Sequence, residues 1–173
     1  SVFHLLLISL FLSACKKEDN TNTQIEEDQE RIQILNDELN SLASNSPLEW
    51  TNGELSFLDR AANSNIIGLG EATHGTKEFF QAKHRIFQYL VENHGYKTFA
   101  FEADFGESIY INELIQQGKV EELKAEMQER MIFWTWRTEE VLALLTWMAE
   151  YNTGKPENEK LQYVGFDCQL NRY

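Results

Sequence analysis

The chain has 173 residues, and its 28 acidic against 15 basic side chains give a formal charge of −13. Phosphate backbones are bound by basic faces, so this balance excludes nucleic acid as the main partner. An apolar share of 42 %, with 11 Phe, 6 Tyr and 4 Trp against 2 Pro and 9 Gly, is ample for one folded domain, and the two cysteines, Cys15 and Cys168, exclude a disulfide framework or a Cys-rich zinc site.

Leu5 to Leu12 reads LLLISLFL, too short to span a bilayer, and Ser13-Ala14-Cys15 follows at once. This is the apolar segment and small-residue cleavage zone of an export signal. The order Leu12-Ser13-Ala14-Cys15 resembles the bacterial lipobox, in which the cysteine becomes the lipidated first residue of the mature protein. Residues 1–14 are therefore expected to be a lipoprotein-type signal peptide with a truncated start, because Met and a basic segment are absent from its beginning. Cys15 would then anchor the protein in the bacterial cell envelope, on a membrane face that the sequence leaves open. Residues 15–24 form a polar tether that cannot bury enough surface to order itself. From Ile25 onward Ile32, Leu35, Leu39 and Leu42 recur at helical spacing, so residues 25–46 are expected to form an amphipathic helix and linker, with a coiled-coil dimer as the alternative. Oligomeric state is left open.

Residues 47–173 carry the domain. A helix is expected around Gly53 to Asn63, followed by the short apolar run Asn65-Ile66-Ile67-Gly68-Leu69-Gly70, read as a first buried strand. Thr76 can cap a helix whose Phe79, Phe80, Ile86, Phe87, Leu90 and Val91 form one apolar face, and His94-Gly95 ends it. Lys97 to Glu102 reads as a second strand. Helices are expected near 107–117, 120–131 and 138–152, the last capped by Thr138 with Glu139 and Glu140 in its first turn, and Leu161 to Phe166 as a third strand. The expected fold class is α/β, with βαβ units whose parallel strands are flanked by helices. With three strands and a stop just past the last, the chain is expected to be an incomplete fragment of a larger domain.

Parallel strands place their C-terminal ends on one edge, where ligands bind in open α/β sheets. Glu71 and His74 follow the first strand, Glu102 and Asp104 close the second, and Asp167 and Gln169 end the third. Neighbouring strands lie roughly 4.8 Å apart, which would let Glu71 or His74 approach Glu102. A neutral histidine beside carboxylates is the usual equipment for taking a proton from water, so His74 is the expected general base. Lys83 or Arg85, two turns along the next helix, could point back to these carboxylates or to an oxyanion. Metal binding is a rival reading, since Glu71-x-x-His74 has the spacing of a ligand pair and Glu102 could be a third, but Gly70 and Gly75 suggest a loop rather than the helix on which that spacing converges. A glycine-flanked nucleophilic serine does not occur. Trp134, Trp136 and Trp147 are expected in the core, Cys168 as a small buried hydrophobe, and His84 and His94 as structural residues.

The stretch Gly68-Leu69-Gly70-Glu71-Ala72-Thr73-His74-Gly75, then Glu78-Phe79-Phe80 and Phe99-Ala100-Phe101-Glu102, resembles the erythromycin esterase family. So do Trp136-Arg137-Thr138-Glu139, Trp147-Met148, Tyr151-Asn152 and Gly165-Phe166-Asp167, and together these cover the region from about Pro47 to the end. The resemblance implies a hydrolase in which a histidine activates water to open an ester, a macrolactone in the resistance enzymes of the family, with no cofactor. It implies that His74, Glu71 and Glu102 are catalytic and that Lys83 replaces a family arginine, keeping the charge but losing the planar fork. The family also uses histidines from a later segment, which does not occur here. The expected partners are a small-molecule ester and, through Cys15, a membrane. Two alternatives remain: a lipid-anchored binding or envelope-assembly protein with a vestigial site, and a metal-dependent hydrolase.

Overall fold

The structure, a computed structural model, describes residues 25, 26, 28–33 and 42–168. The expected signal peptide, the Cys15 lipidation site, the tether and Gln169 lie outside these residues. The chain divides into two units, residues 1–39 and 40–173. In the first, residues 28–33 are helical and Arg31 pairs with Asp28 at 3.8 Å, while Leu35 and Leu39 of the expected amphipathic helix lie outside the described residues.

The second unit opens with short helical pieces. A 3-10 turn at Pro47–Glu49 leads into α1 (Asn52–Leu55), where Thr51 and Glu54 form a reciprocal capping box, and a second 3-10 turn covers Ser56–Arg60. Then come α2 (Lys77–His94), β1 (Thr98–Asp104), α3 (Phe105–Gln117), α4 (Val120–Arg130), a 3-10 turn at Trp134–Trp136, α5 (Glu139–Asn152) and β2 (Gln162–Asp167). The helix ends follow local chemistry. Gly95 and Gly118 adopt left-handed backbones after α2 and α3, and the Thr138 hydroxyl accepts the Val141 N–H at 3.2 Å. Thr76 occupies the N-cap position of α2, but its hydroxyl bonds Thr73 at 2.6 Å and takes no helix N–H.

β1 and β2 pair in parallel, Thr98 against Gln162 through Phe101 against Gly165, across a connection built of α3, α4 and α5. The register then slips, so that Asp104 faces Asp167 and β1 carries one extra residue between Phe101 and Asp104. Such a bulge breaks side-chain alternation. Ala103 and Asp104 are accordingly buried in succession, and Asp104 caps α3 by accepting the Glu107 N–H at 3.0 Å. One face of the pair packs on helices: Phe99 and Phe101 meet Phe80 and Phe87 of α2, Ile111 and Ile115 of α3, and Leu144, Leu145 and Met148 of α5. Buried Asn152 ties the end of α5 to the start of β2. Its side chain donates to the Ile115 and Leu161 carbonyls and accepts the Leu161 N–H at 2.6 Å.

Three expectations are corrected. Asn65–Gly70 is not a strand: Ile66 is 86 % exposed, and the segment is separated from β1 by a cavity that both line. Strand neighbours at roughly 4.8 Å would close that space. Only Ile67 and Leu69 turn inward, too few apolar anchors to seat the run against β1. Among the described residues the sheet therefore has two strands, not three. Cys168 is exposed rather than buried, because it lies just past the end of β2. Trp134 is exposed too, while Trp136 is buried and Trp147 packs against the core. No helix among the described residues is long and apolar enough to cross a membrane.

Candidate active site

The loop 71–75 leaves the extended segment and turns into α2. Its Glu71 side chain is about one-tenth exposed and bonds on both sides. Oε1 lies 2.6 Å from Nδ1 of His74, and Oε2 accepts from the Lys83 ammonium. Lys83 lies on the second turn of α2, and burial of Phe80 and Phe87 on the same helix aims the lysine stem inward. Burial opposes ionisation of Glu71, but the hydrogen bonds from Lys83 and His74, with their charges, prevail and hold its carboxyl below the usual range. An ionised carboxylate only accepts, so Nδ1 carries a proton and Nε2 is the ring nitrogen left to act as a base.

Glu71, His74 and Lys83 line a cavity of about 910 Å³. Ile67, Leu69, Leu90, Phe99, Phe101 and Trp136 line it as well, as does Glu102 on the exposed face of β1 next to the bulge. Glu71, His74 and Lys83 are thus brought into one bonded chain, and Glu102, on β1, lines the same cavity. Arg85 turns away, donating from Nε to the Trp50 carbonyl at 2.7 Å. Asp104 caps α3 instead of facing the cavity. His94 pairs with Asp59 at 2.8 Å, which also accepts from the Tyr89 hydroxyl. Both oxygens of Glu71 are engaged, one by the imidazole and one by the ammonium.

The sequence argument missed the roles of Gly75 and Trp134. Gly75 has a φ of +76°, and a Cβ there would lie 2.6 Å from Trp134 Cζ3. Glu107 was missed as well: burial and neighbouring Asp104 raise its carboxyl above the usual range, against the Ile132 N–H that it accepts. The polar position one turn into α3 was the only sign of it.

Residues 91–173 lie where known sequences are recognisable, and they carry both strands and the helices between them. Over this stretch the chain matches the erythromycin esterase family. Among curated proteins it is 34 % identical over 110 residues to the Escherichia coli erythromycin esterase type II, covering 63 % of this chain and 25 % of that protein. It is 32 % identical over 123 residues to YbfO of Bacillus subtilis (strain 168), which bears the name of a hydrolase, covering 69 % and 25 %. The chain thus spans about a quarter of the length of these relatives. An alignment taking in 63 % of the chain necessarily includes its middle, and so residues 71–102. Among solved structures, a succinoglycan biosynthesis protein superposes with a TM-score of 0.62 at 34 % identity, over 73 % of this chain and 31 % of that one. A Bacillus cereus protein does so with a TM-score of 0.61 at 28 % identity, over 73 % and 29 %.

Proposed function

We propose that the protein is an erythromycin esterase-like hydrolase in which His74 activates water to open an ester, such as the lactone of a macrolide. The observation that carries this reading is the chain Lys83–Glu71–His74 at the rim of the cavity. Glu71 fixes the tautomer of His74, and Lys83 keeps Glu71 ionised and in place. Nε2 takes a proton from water while the water oxygen bonds to the ester carbonyl carbon. The tetrahedral adduct then expels the alkoxide, which recovers the proton from Nε2–H. Lys83 in this scheme holds Glu71; its contact with the carboxylate argues against an ammonium devoted to substrate charge. Glu102 lines the same cavity that would receive the ester.

The amphipathic composition of the cavity suits a large apolar ester with a few polar groups. The lipobox-like Leu12-Ser13-Ala14-Cys15 supports a lipid-anchored envelope protein, where hydrolysis of an incoming antibiotic would contribute to resistance. The test is a full-length His74→Ala variant incubated with a macrolide and followed by mass spectrometry. Ring-opened product is expected to form at least about a hundredfold more slowly than with the parent, the scale of a lost general base. Hydrolysis at the parental rate would refute the assignment.

A further inference from the structure

We infer that the Trp134–Trp136 turn clamps the His74 loop, with Trp134 and Trp136 as positioning residues for the base. This rests on the hydrolase reading above and concerns how the base is held. The His74 side chain is 60 % exposed, and a single hydrogen bond, to Glu71, ties its ring. A ring so placed keeps much of its rotamer freedom unless neighbours exclude the alternatives. Two indoles do so. Trp136 meets the imidazole edge to face, with ring centroids 6.1 Å apart, and is itself fixed by Phe80 and Phe101. Trp134, though 64 % exposed, lies directly on Gly75: a Cβ at Gly75 would be 2.6 and 2.7 Å from its Cζ3 and Cη2 atoms. The residue after the base must therefore be glycine for two reasons, its left-handed backbone and the ring seated upon it.

The clamp is anchored away from the loop it holds. The Met131 N–H donates to the Met127 carbonyl of α4 at 3.1 Å, and the Ile132 N–H donates to Glu107 of α3 at 3.3 Å. The turn and the His74 loop thus belong to separate parts of the chain, and their contact sets the distance between the imidazole and whatever the cavity binds. Displacement of a reacting group by about 1 Å is enough to cost on the order of a hundredfold in rate.

The experiment uses the full-length protein with ¹³C-labelled histidine, the His74 signal being assigned by its loss in His74→Gln. Trp134→Ala, at an exposed site, is expected to fold as the parent does and to lower kcat roughly tenfold or more with KM nearly unchanged. It should also shift the pH titration of the His74 signal, and Trp134→Phe should restore most of both. Gly75→Ala should reproduce the defect, and the double variant should be no worse than the poorer single one, since each breaks the same contact. A parental His74 titration and kcat in Trp134→Ala, or losses that multiply in the double variant, would overturn the clamp. If the parent itself hydrolyses no ester, the hydrolase reading fails, whereas the His74 titration still decides whether the two indoles hold the ring.

Discussion

Lys83 and Glu71 form a pair in which each side chain is about nine-tenths buried, and removing one partner of such a pair leaves an uncompensated charge. Lys83→Met is expected to destabilise the fold by about 3 kcal/mol at neutral pH, measured by urea titration. The Glu71 carboxyl then loses the bond that holds it below the usual range, so its ionisation moves to higher pH. The acidic limb of the kcat/KM profile should move up in pH with it. An unchanged limb would mean that Lys83 does not govern the protonation of Glu71. His74, Glu71 and Glu102 stood out in the sequence because each follows an apolar run, and all three line one cavity. That Lys83, and not Arg85, turns back to Glu71 was not legible, since which face of α2 meets the loop depends on the packing of Phe80 and Phe87.

The β1–β2 pair depends on two features that no helical or strand period reveals. Gly165 lies against the β1 bulge, where a Cβ would stand 2.4 Å from the Asp104 carbonyl oxygen and 2.6 Å from that of Ala103. Backbone atoms cannot yield as side chains do, so Gly165→Ala is expected to cost about 2 kcal/mol or more, within the range of overpacked sites. A melting temperature equal to the parent's would show that the strands can separate there without loss. The strands expected at 97–102 and 161–166 lie at 98–104 and 162–167, each a short apolar run. Asn65–Gly70 has the same apolar character but takes no partner, because strand formation is settled by the neighbour that supplies hydrogen bonds and not by composition.

His84, buried on α2 with its ring near that of Trp147 on α5, couples the fold to pH. Burial first, and then the charge of Arg85, push its imidazole down to about 4, and its Nε2 has no hydrogen-bond partner among the described residues. The folded value lies below the ordinary 6.5, so the unfolded chain takes up a proton before the native state does. Stability from this source is present above pH 6.5 and lost as pH falls toward 4, by roughly 3 kcal/mol in all. His84→Leu should flatten the difference between urea midpoints at pH 7 and pH 4.5, and an equal difference in variant and parent would assign it to other groups. Relatives on this fold bear names as different as erythromycin esterase and succinoglycan biosynthesis protein, so the fold alone does not choose an ester. Sequence by itself placed the main helices and the two strands and carried the resemblance to the erythromycin esterase family, because periodicity, caps and motif spacing are local and survive without a partner. Only tertiary structure decided that Glu71 and Glu102 line one cavity, that Lys83 secures the carboxylate and that Trp134 rests on Gly75, since contacts between distant segments arise from the packing that brings them together.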